Sequence, residues 1–221
     1  MELAPKILLY ISRFSVLVPI FFLFKGKQNF TGLTHPVLKG LGLLLLISAF
    51  SDLLSYILFK TGGSNLMVGN SYIVAQFFLL NYIYSLIFKN RVLIYIGFVL
   101  FTGFFIINIA FIQPFTEFQG WSNTVGSIIL LGYSTACFIK IIKYPFEDER
   151  FDDLILWINI GVSLYFFMNL YLFASTSYIF KNESADIAIL AWSFHNFINI
   201  VKNILFATGI YYAGRKMVSV K

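Results

Sequence analysis

Residues 191–209 read Ala191-Trp-Ser-Phe-His195-Asn-Phe-Ile-Asn199-Ile-Val-Lys202-Asn203-Ile-Leu-Phe-Ala-Thr-Gly209. This stretch is long enough to cross a lipid bilayer, yet it carries a histidine, a lysine and three asparagines. At 3.6 residues per turn, its polar side chains fall on one stripe of a helix, formed by His195, Asn199, Lys202 and Asn203. Because ionisable groups within a membrane span are costly and rare, the stripe is expected to face protein or water and to mark a candidate site.

The composition indicates a membrane protein. Of the 221 residues, 59% are hydrophobic and 12% are charged, whereas a typical globular domain has about half apolar and a quarter charged residues. Runs of roughly twenty apolar residues alternate with short polar connections, which is the pattern of a polytopic helical protein. We therefore predict a single all-α domain over residues 1–221, embedded in a membrane.

Seven membrane spans are predicted in this domain. Their approximate bounds are 7–24, 37–59, 67–88, 92–112, 121–143, 152–174 and 188–213. Turn-forming or charged clusters such as Thr61-Gly-Gly-Ser-Asn65 and Lys89-Asn-Arg91 separate them. No connection exceeds about fourteen residues, which leaves no room for a soluble catalytic or nucleic-acid-binding domain between spans.

The positive charges predict the orientation of the bundle. Eleven Lys and Arg residues belong to the first, third and fifth connections and the C-terminal tail, whereas three belong to the N-terminal segment and the remaining connections. Because cytoplasmic loops are enriched in Lys and Arg, the N-terminus is predicted to lie outside and the C-terminus in the cytoplasm. The excess of positive charge is spread over several connections rather than one patch, so nucleic acid is not a predicted partner.

Away from the ends of the predicted spans, three charged residues remain, Arg13, Asp52 and Lys202, together with the titratable His195. At 1.5 Å per residue, Arg13, Asp52 and His195 lie roughly 10 Å below the outer boundary, and Lys202 lies roughly 21 Å below it. These depths predict an external polar pocket with a cationic floor. Its expected ligand-binding residues are Arg13, Asp52, Gln76, Asn169, His195, Asn199 and Lys202, with aromatic walls from residues such as Tyr165, Trp192 and Phe194.

A structural role is the alternative for each of these polar residues. Asparagines in membrane bundles often form interhelical hydrogen bonds worth only about 0.6 kcal/mol. Arg13 lies within two turns of its span end and could extend to the outer surface. The sequence also lacks the zinc-binding, nucleophile-elbow and phosphate-loop motifs of well-known enzymes, and its lone cysteine, Cys137, has no disulfide partner. No metal site is therefore predicted.

Two short segments resemble the lysoplasmalogenase family, whose members are small polytopic proteins that hydrolyse vinyl-ether lysolipids. The segments are Ser48-Ala-Phe-Ser-Asp52 and Gly161-Val-Ser-Leu-Tyr-Phe-Phe-Met-Asn169. Asp52 matches the first acidic residue of that family, which usually has eight spans. Asn169 stands at the second acidic position, where an amide cannot act as a general acid or base. The resemblance implies an alternative function, lipid hydrolysis centred on Asp52.

A lysine in the last of seven spans also resembles the retinal proteins, in which this lysine forms a Schiff base. That resemblance implies retinal on Lys202 as an alternative cofactor; otherwise no cofactor is predicted. Retinal proteins usually place a carboxylate on the third helix, but the predicted span 67–88 has none. Asp52 is therefore the one candidate counter-ion.

The chain as a whole is similar to seven-helix membrane modules of Bacteroidetes, some of which precede histidine kinases. Its richness in Phe, Ile and Asn and the segment from Trp192 to Asn203 carry this resemblance. It implies a receptor-like or sensory module for a small or amphiphilic ligand, located in the inner membrane of a bacterial cell. We expect the signal to reach a separate cytoplasmic partner through residues 89–91, residues 144–153 and the C-terminal tail. A third possibility is an oligomeric channel or effector pore that associates through Gly126 and Gly132.

Overall fold

The computed structural model describes residues 3–26 and 34–215, and every regular element within them is a helix. The helices are α1 (Leu3–Ser15), α2 (Leu17–Gly26), α3 (Thr34–Lys60), α4 (Leu66–Phe88), α5 (Arg91–Ile107), α6 (Gly120–Lys143), α7 (Glu149–Asn182) and α8 (Ala185–Ala213), with a π-helical turn, Asn108–Ile112, after α5.

Six segments of the described chain are long and apolar enough to cross a membrane. They are Ala4–Gly26, Thr34–Lys60, Leu66–Phe88, Arg91–Ile112, Gly120–Lys143 and Glu149–Asn182. This confirms an all-helical, multi-pass membrane protein. The predicted seventh span lies in α8, which has 29 residues but is not among the six. Its polar residues from His195 to Asn203 interrupt the apolar sequence of α8.

The first apolar segment is two helices rather than the one predicted over residues 7–24. The helix breaks at Val16, between α1 and α2. Pro19 is the physical cause, because a proline has no N–H to donate to the carbonyl four residues earlier, which here belongs to Ser15. Next to the break, the Ser15 hydroxyl donates a 2.6 Å hydrogen bond to the carbonyl of Ser12.

Helix α7 continues well beyond the predicted span 152–174. Its 34 residues end at Asn182, so Ser175 to Asn182 are helical rather than part of a connection. Ser175 and Thr176 remain compatible with the helix because their hydroxyls donate to the carbonyls of Tyr171 and Leu172, four residues earlier. Only Glu183 and Ser184 separate α7 from α8.

The outer surface of the bundle carries many large apolar side chains, unlike that of a soluble domain, and the interior holds amides and hydroxyls among its apolar core. Large exposed side chains include Phe24, Phe111, Phe167 and Tyr171. Buried side chains include many amides and hydroxyls, among them Asn70, Asn108, Gln119, Ser122, Asn159 and Asn169. Such a distribution suits a bilayer, because lipid solvates the outer surface while the buried groups find partners within the protein.

The helix contacts run continuously around the bundle. Helix α8 packs on α7 and on both α1 and α2, and α6 packs on α7, α4 and α5. Helix α3 packs mainly on α4, and it also contacts α2. The α3–α4 pair lies beside the α7–α8 pair, since the Tyr84 hydroxyl of α4 bonds to Asn159 of α7 and Asp52 of α3 lies near Lys202 of α8.

Candidate ligand-binding site

A group of charged, hydroxyl and amide side chains lies between the α3–α4 pair and the α7–α8 pair, and we call it the polar cluster. Each member either influences another member electrostatically or is in direct contact with one. Its members are Asp52 from α3, Tyr72 and Gln76 from α4, Tyr165 and Asn169 from α7, and His195 and Lys202 from α8. Four helices that are distant in sequence thus contribute to a single internal site.

Lys202 is the deepest cation of the polar cluster. Its side chain is only 6% exposed, and its Nζ lies 4.2 Å from the centroid of the Tyr165 ring. This is cation–π geometry, which becomes stronger where water is excluded. The Tyr165 hydroxyl lies beside the side chain of Gln76, so the ring that supports Lys202 is itself held by α4.

Asp52 lies near two cations without touching either. The charges of Arg13 and Lys202 both act on its carboxylate, Arg13 more strongly. Within residues 3–26 and 34–215 no direct ion pair joins Asp52 to a cation, since the ion pairs found there are Arg150–Asp148 and Lys181–Glu117. The Arg13 guanidinium also lies 5.6 Å from the centroid of the Tyr56 ring, one turn along α3 from Asp52.

His195 and Asn169 form a direct contact between α7 and α8. The distance from His195 Nδ1 to Asn169 Oδ1 is 3.0 Å, and Asn169 Nδ2 donates a 2.8 Å hydrogen bond to the Tyr165 carbonyl. Asn169 is fully buried, and both ends of its amide have partners. At the position where the lysoplasmalogenase resemblance expects an acid, the structure therefore places an amide that orients the imidazole.

A cavity of about 300 Å³ lies where the ends of α3 and α7 meet the beginnings of α4 and α8. It is lined by Ser55, Asn65, Leu66, Gly69, Phe118, Phe180 and Trp192. The Trp192 ring packs edge-on against Phe118 at 5.4 Å and against His195 at 5.0 Å between centroids. Trp192 is thus shared by the cavity wall and the polar cluster.

None of the predicted ligand-binding residues lines this cavity, although three of its lining residues lie one helical turn from the polar cluster. On α3, Ser55 follows Asp52 by three residues; on α4, Gly69 precedes Tyr72 by three; on α8, Trp192 precedes His195 by three. Residues three apart share a helix face. The nearest members of the polar cluster, Asp52, Tyr72 and His195, therefore lie about 4.5 Å from the cavity along their helices, whereas Lys202, ten residues from Trp192, lies about 15 Å from it along α8.

Two asparagines of the α8 stripe point in another direction, toward α1. Asn199 Nδ2 donates a 3.0 Å hydrogen bond to Ser12 Oγ, and Asn203 Nδ2 donates a 2.7 Å bond to Ser15 Oγ. Both bonds connect the last helix of the chain to the first. The structure thus places Asn199, one of the predicted ligand-binding residues, in an interhelical hydrogen bond.

Asn159 of α7 belongs to a separate contact, outside the polar cluster. Asn159 accepts a 2.7 Å hydrogen bond from the Tyr84 hydroxyl and donates a 3.0 Å bond to the Ser134 carbonyl, which ties α4, α6 and α7 together. Gly126, predicted as part of an association surface, is buried against Phe77 and Phe101 of the same chain. Gly132 is exposed and would leave a Cβ with no neighbour within 4 Å.

A network of amides, which sequence reasoning missed, supports one wall of the cavity. Asn70 Nδ2 donates two 2.7 Å hydrogen bonds to the carbonyls of Phe115 and Glu117, and its Oδ1 accepts the backbone N–H of Gln119. Gln119 in turn bonds the carbonyls of Gln113 and Pro114. These bonds fix the connection that carries Phe118 into the cavity wall. The signal for this network in the sequence was the presence of Gln113 and Gln119 in the connection that contains Pro114.

The described residues contain no group of three His, Cys, Asp or Glu side chains arranged as metal ligands. Comparisons of the chain with protein-family models, with curated proteins and with solved structures found no match.

Proposed function

We propose that the chain is a receptor-like membrane module that binds a small or amphiphilic ligand in the cavity and the adjoining polar cluster. The observation that carries the proposal is the one-turn spacing between the two on three separate helices. Ligand pockets are mostly apolar with a few placed polar groups and start at about 300 Å³. Aromatic walls from Phe118, Phe180 and Trp192 above a charged group match that description.

The proposed module has seven spans, with α8 as the last. Every seventh residue of α8 from Leu190 to Tyr211 is large, apolar or aromatic and at least 45% exposed, namely Leu190, Phe197, Ile204 and Tyr211. His195 and Lys202 lie on the opposite side and face the bundle. An apolar stripe outside and a polar stripe inside suit a span that is enclosed by helices on its polar side.

The proposed signal passes from the external end to the cytoplasmic end through α4 and α7. A ligand between the α3–α4 and α7–α8 pairs changes the balance of two packing states only if it contacts one state better than the other. At the far end, Lys140 Nζ donates to the Ile87 carbonyl of α4 and lies 4.6 Å from the centroid of the Phe146 ring. Residues 144–153, the proposed partner surface, are thereby joined to α4.

Filling the cavity tests this proposal. Gly69 is a suitable position because a Cβ there would meet no atom within 4 Å, so Gly69→Phe adds a ring without a backbone clash. Gly132→Phe is the matched control, since Gly132 is equally open but lies on α6 away from the cavity. Binding of tritiated decanoate, decyl phosphate, decanol and decyltrimethylammonium would be measured on the full chain in nanodiscs.

We expect Gly69→Phe to abolish saturable binding of at least one of these amphiphiles, while Gly132→Phe leaves that binding intact. The comparison between the two variants removes the contribution of partition into the bilayer, which is the same for both. Equal binding of every probe by the two variants would contradict the proposed function.

A further inference from the structure

The Lys202 side chain is 6% exposed, and within residues 3–26 and 34–215 its ammonium has no hydrogen-bond acceptor. It can donate three hydrogen bonds, but among the described residues its Nζ has only the face of the Tyr165 ring as a close partner. The Tyr165 ring carries no lone pair that points at Nζ, so the donors remain available. A buried ammonium normally has a hydrogen-bonded anion beside it, because leaving it unpaired is costly.

The charges around the site sum to a surplus of one cation. Arg13 and Lys202 are positive, Asp52 is negative, and Arg13 is the stronger of the two influences on Asp52. Asp52 is shared by the two cations, so one unit of positive charge, partly carried by Lys202, has no anion among them. The other cationic or acidic side chains of α3, α4, α7 and α8 lie toward the helix ends, as Lys60, Lys181 and Asp186 do.

Side chains leading from the cavity to Lys202 are in contact throughout. Trp192 lines the cavity and packs on His195 at 5.0 Å, His195 packs on Tyr165 at 5.7 Å, and Tyr165 carries the Lys202 ammonium. Lysine side chains on a helix lean toward its N-terminus, which here directs Nζ up toward the cavity. His195 has one ring nitrogen left for a ligand after its bond to Asn169.

We infer that the ligand is a single-chain amphiphile with an anionic oxygen-bearing head group, a carboxylate or a phosphate, whose chain occupies the aromatic cavity and whose head group pairs with Lys202. This inference rests on the proposed function, because it uses the same cavity. Head-group oxygens supply the acceptors that the ammonium lacks, and the anion balances the surplus charge. Charge-assisted bonds of this kind are about twice as strong as neutral ones.

The four decyl compounds that test the cavity also test the head group, because they share one chain and differ in charge. On the unaltered protein we expect decanoate or decyl phosphate to bind at least about tenfold more tightly than decanol or decyltrimethylammonium. Lys202→Gln should remove that preference and leave decanol binding unchanged. Lys202→Arg, which keeps the charge, should retain it. Lys181→Gln is the control, since it removes a cation at the same end that is paired with Glu117 outside the cluster.

Each outcome separates the two proposals. Equal affinity for all four compounds, with every one blocked by Gly69→Phe, would overturn the anionic head group and leave the binding function standing. Tighter binding of decyltrimethylammonium that is lost in Asp52→Asn would reverse the inferred sign. Insensitivity of all four to Gly69→Phe would contradict both. Inorganic phosphate that competes as well as decyl phosphate would show that the site takes a free anion, which also overturns the amphiphile.

Discussion

At the scale of single residues, the polar groups of the last helix divide between two tasks. His195 and Lys202 face α7 and the polar cluster, whereas Asn199 and Asn203 bond to hydroxyls of α1. The periodicity of the sequence places all four on one broad face of a helix. It does not say which neighbouring helix each side chain meets, because that depends on the rotation and packing of α8.

Substitution of Asn169 tests whether the contact between its buried amide and the His195 imidazole stabilises the fold. Asn169→Ala removes a partner from His195 Nδ1 and from the Tyr165 carbonyl, so we expect the free energy of unfolding to fall by about 1–3 kcal/mol. Thermal unfolding in detergent measures the change. Asn182→Ala is the control on the same helix, because Asn182 is exposed and bonds only to the Tyr178 carbonyl of its own turn. Equal melting temperatures would show that the bridge is not stabilising.

Asp52 and Lys202 should be coupled although they form no direct ion pair. Asp52→Asn leaves two cations without their anion, and the added substitution Lys202→Gln removes part of that imbalance. A double-mutant cycle on the free energy of unfolding should therefore give a coupling energy of about 0.5–3 kcal/mol. Asp52→Asn combined with Lys181→Gln should be additive. A coupling energy near zero for Asp52 and Lys202 would mean that water screens the two charges.

At the scale of helices, the sequence predicted which segments are helical better than it predicted where each helix begins and ends. The predicted span 67–88 corresponds to α4 at Leu66–Phe88, because charged and glycine-rich connections bound it on both sides. The break at Val16 and the extension of α7 to Asn182 were missed. The break follows from Pro19, and a single proline hardly changes the hydropathy of an apolar segment. In α7 the hydroxyls of Ser175 and Thr176 bond to carbonyls of the same helix, and such local bonds leave no mark in hydropathy.

Two glycines of α6 should respond in opposite directions to the same substitution. Gly120 packs against α7 so closely that a Cβ would lie 2.6 Å from the Phe173 carbonyl oxygen. Gly120→Ala must therefore separate the helices, at a cost of about 1–3 kcal/mol. Gly132→Ala meets nothing within 4 Å and should stabilise by up to about 1 kcal/mol, since alanine favours helix over glycine. Thermal unfolding of both variants provides the measurement, and a stabilised Gly120→Ala would refute the close approach.

At the scale of the whole molecule, the site lies where sequence-distant helices meet at one end of the bundle. The stripe of α8 and the isolated Asp52 were visible in the sequence, and the structure places both in the polar cluster. The cavity was not, because it is lined by residues of no special type, such as Ser55, Leu66 and Gly69. Its supporting amide network depends on Asn70 and Gln119, which come together only through tertiary packing.

The predicted orientation can be tested with single cysteines, because Cys137 is the only natural one and is buried. In a Cys137→Ala background, Ser64→Cys and Asn182→Cys should react with a membrane-impermeant maleimide on intact cells. Asn90→Cys and Glu147→Cys should react only after the cells are broken. This pattern follows from the eleven-to-three distribution of positive charges, and the reverse pattern would invert the proposed topology.

The bonds from Asn199 to Ser12 and from Asn203 to Ser15 have a consequence for biosynthesis. A lysine near the centre of a helix opposes insertion by the translocon by about 2.5–3.5 kcal/mol, and α8 is synthesised last. In the proposed seven-span topology, its polar face can leave the translocon only if a polar surface is already present in the bilayer, and α1 and α7 provide that surface. The surface of α1 that α8 covers must therefore remain free of other helices until translation ends. A ribosome stalled before Ala185 would leave a protein in the membrane whose α1 and α7 surfaces are not covered by α8.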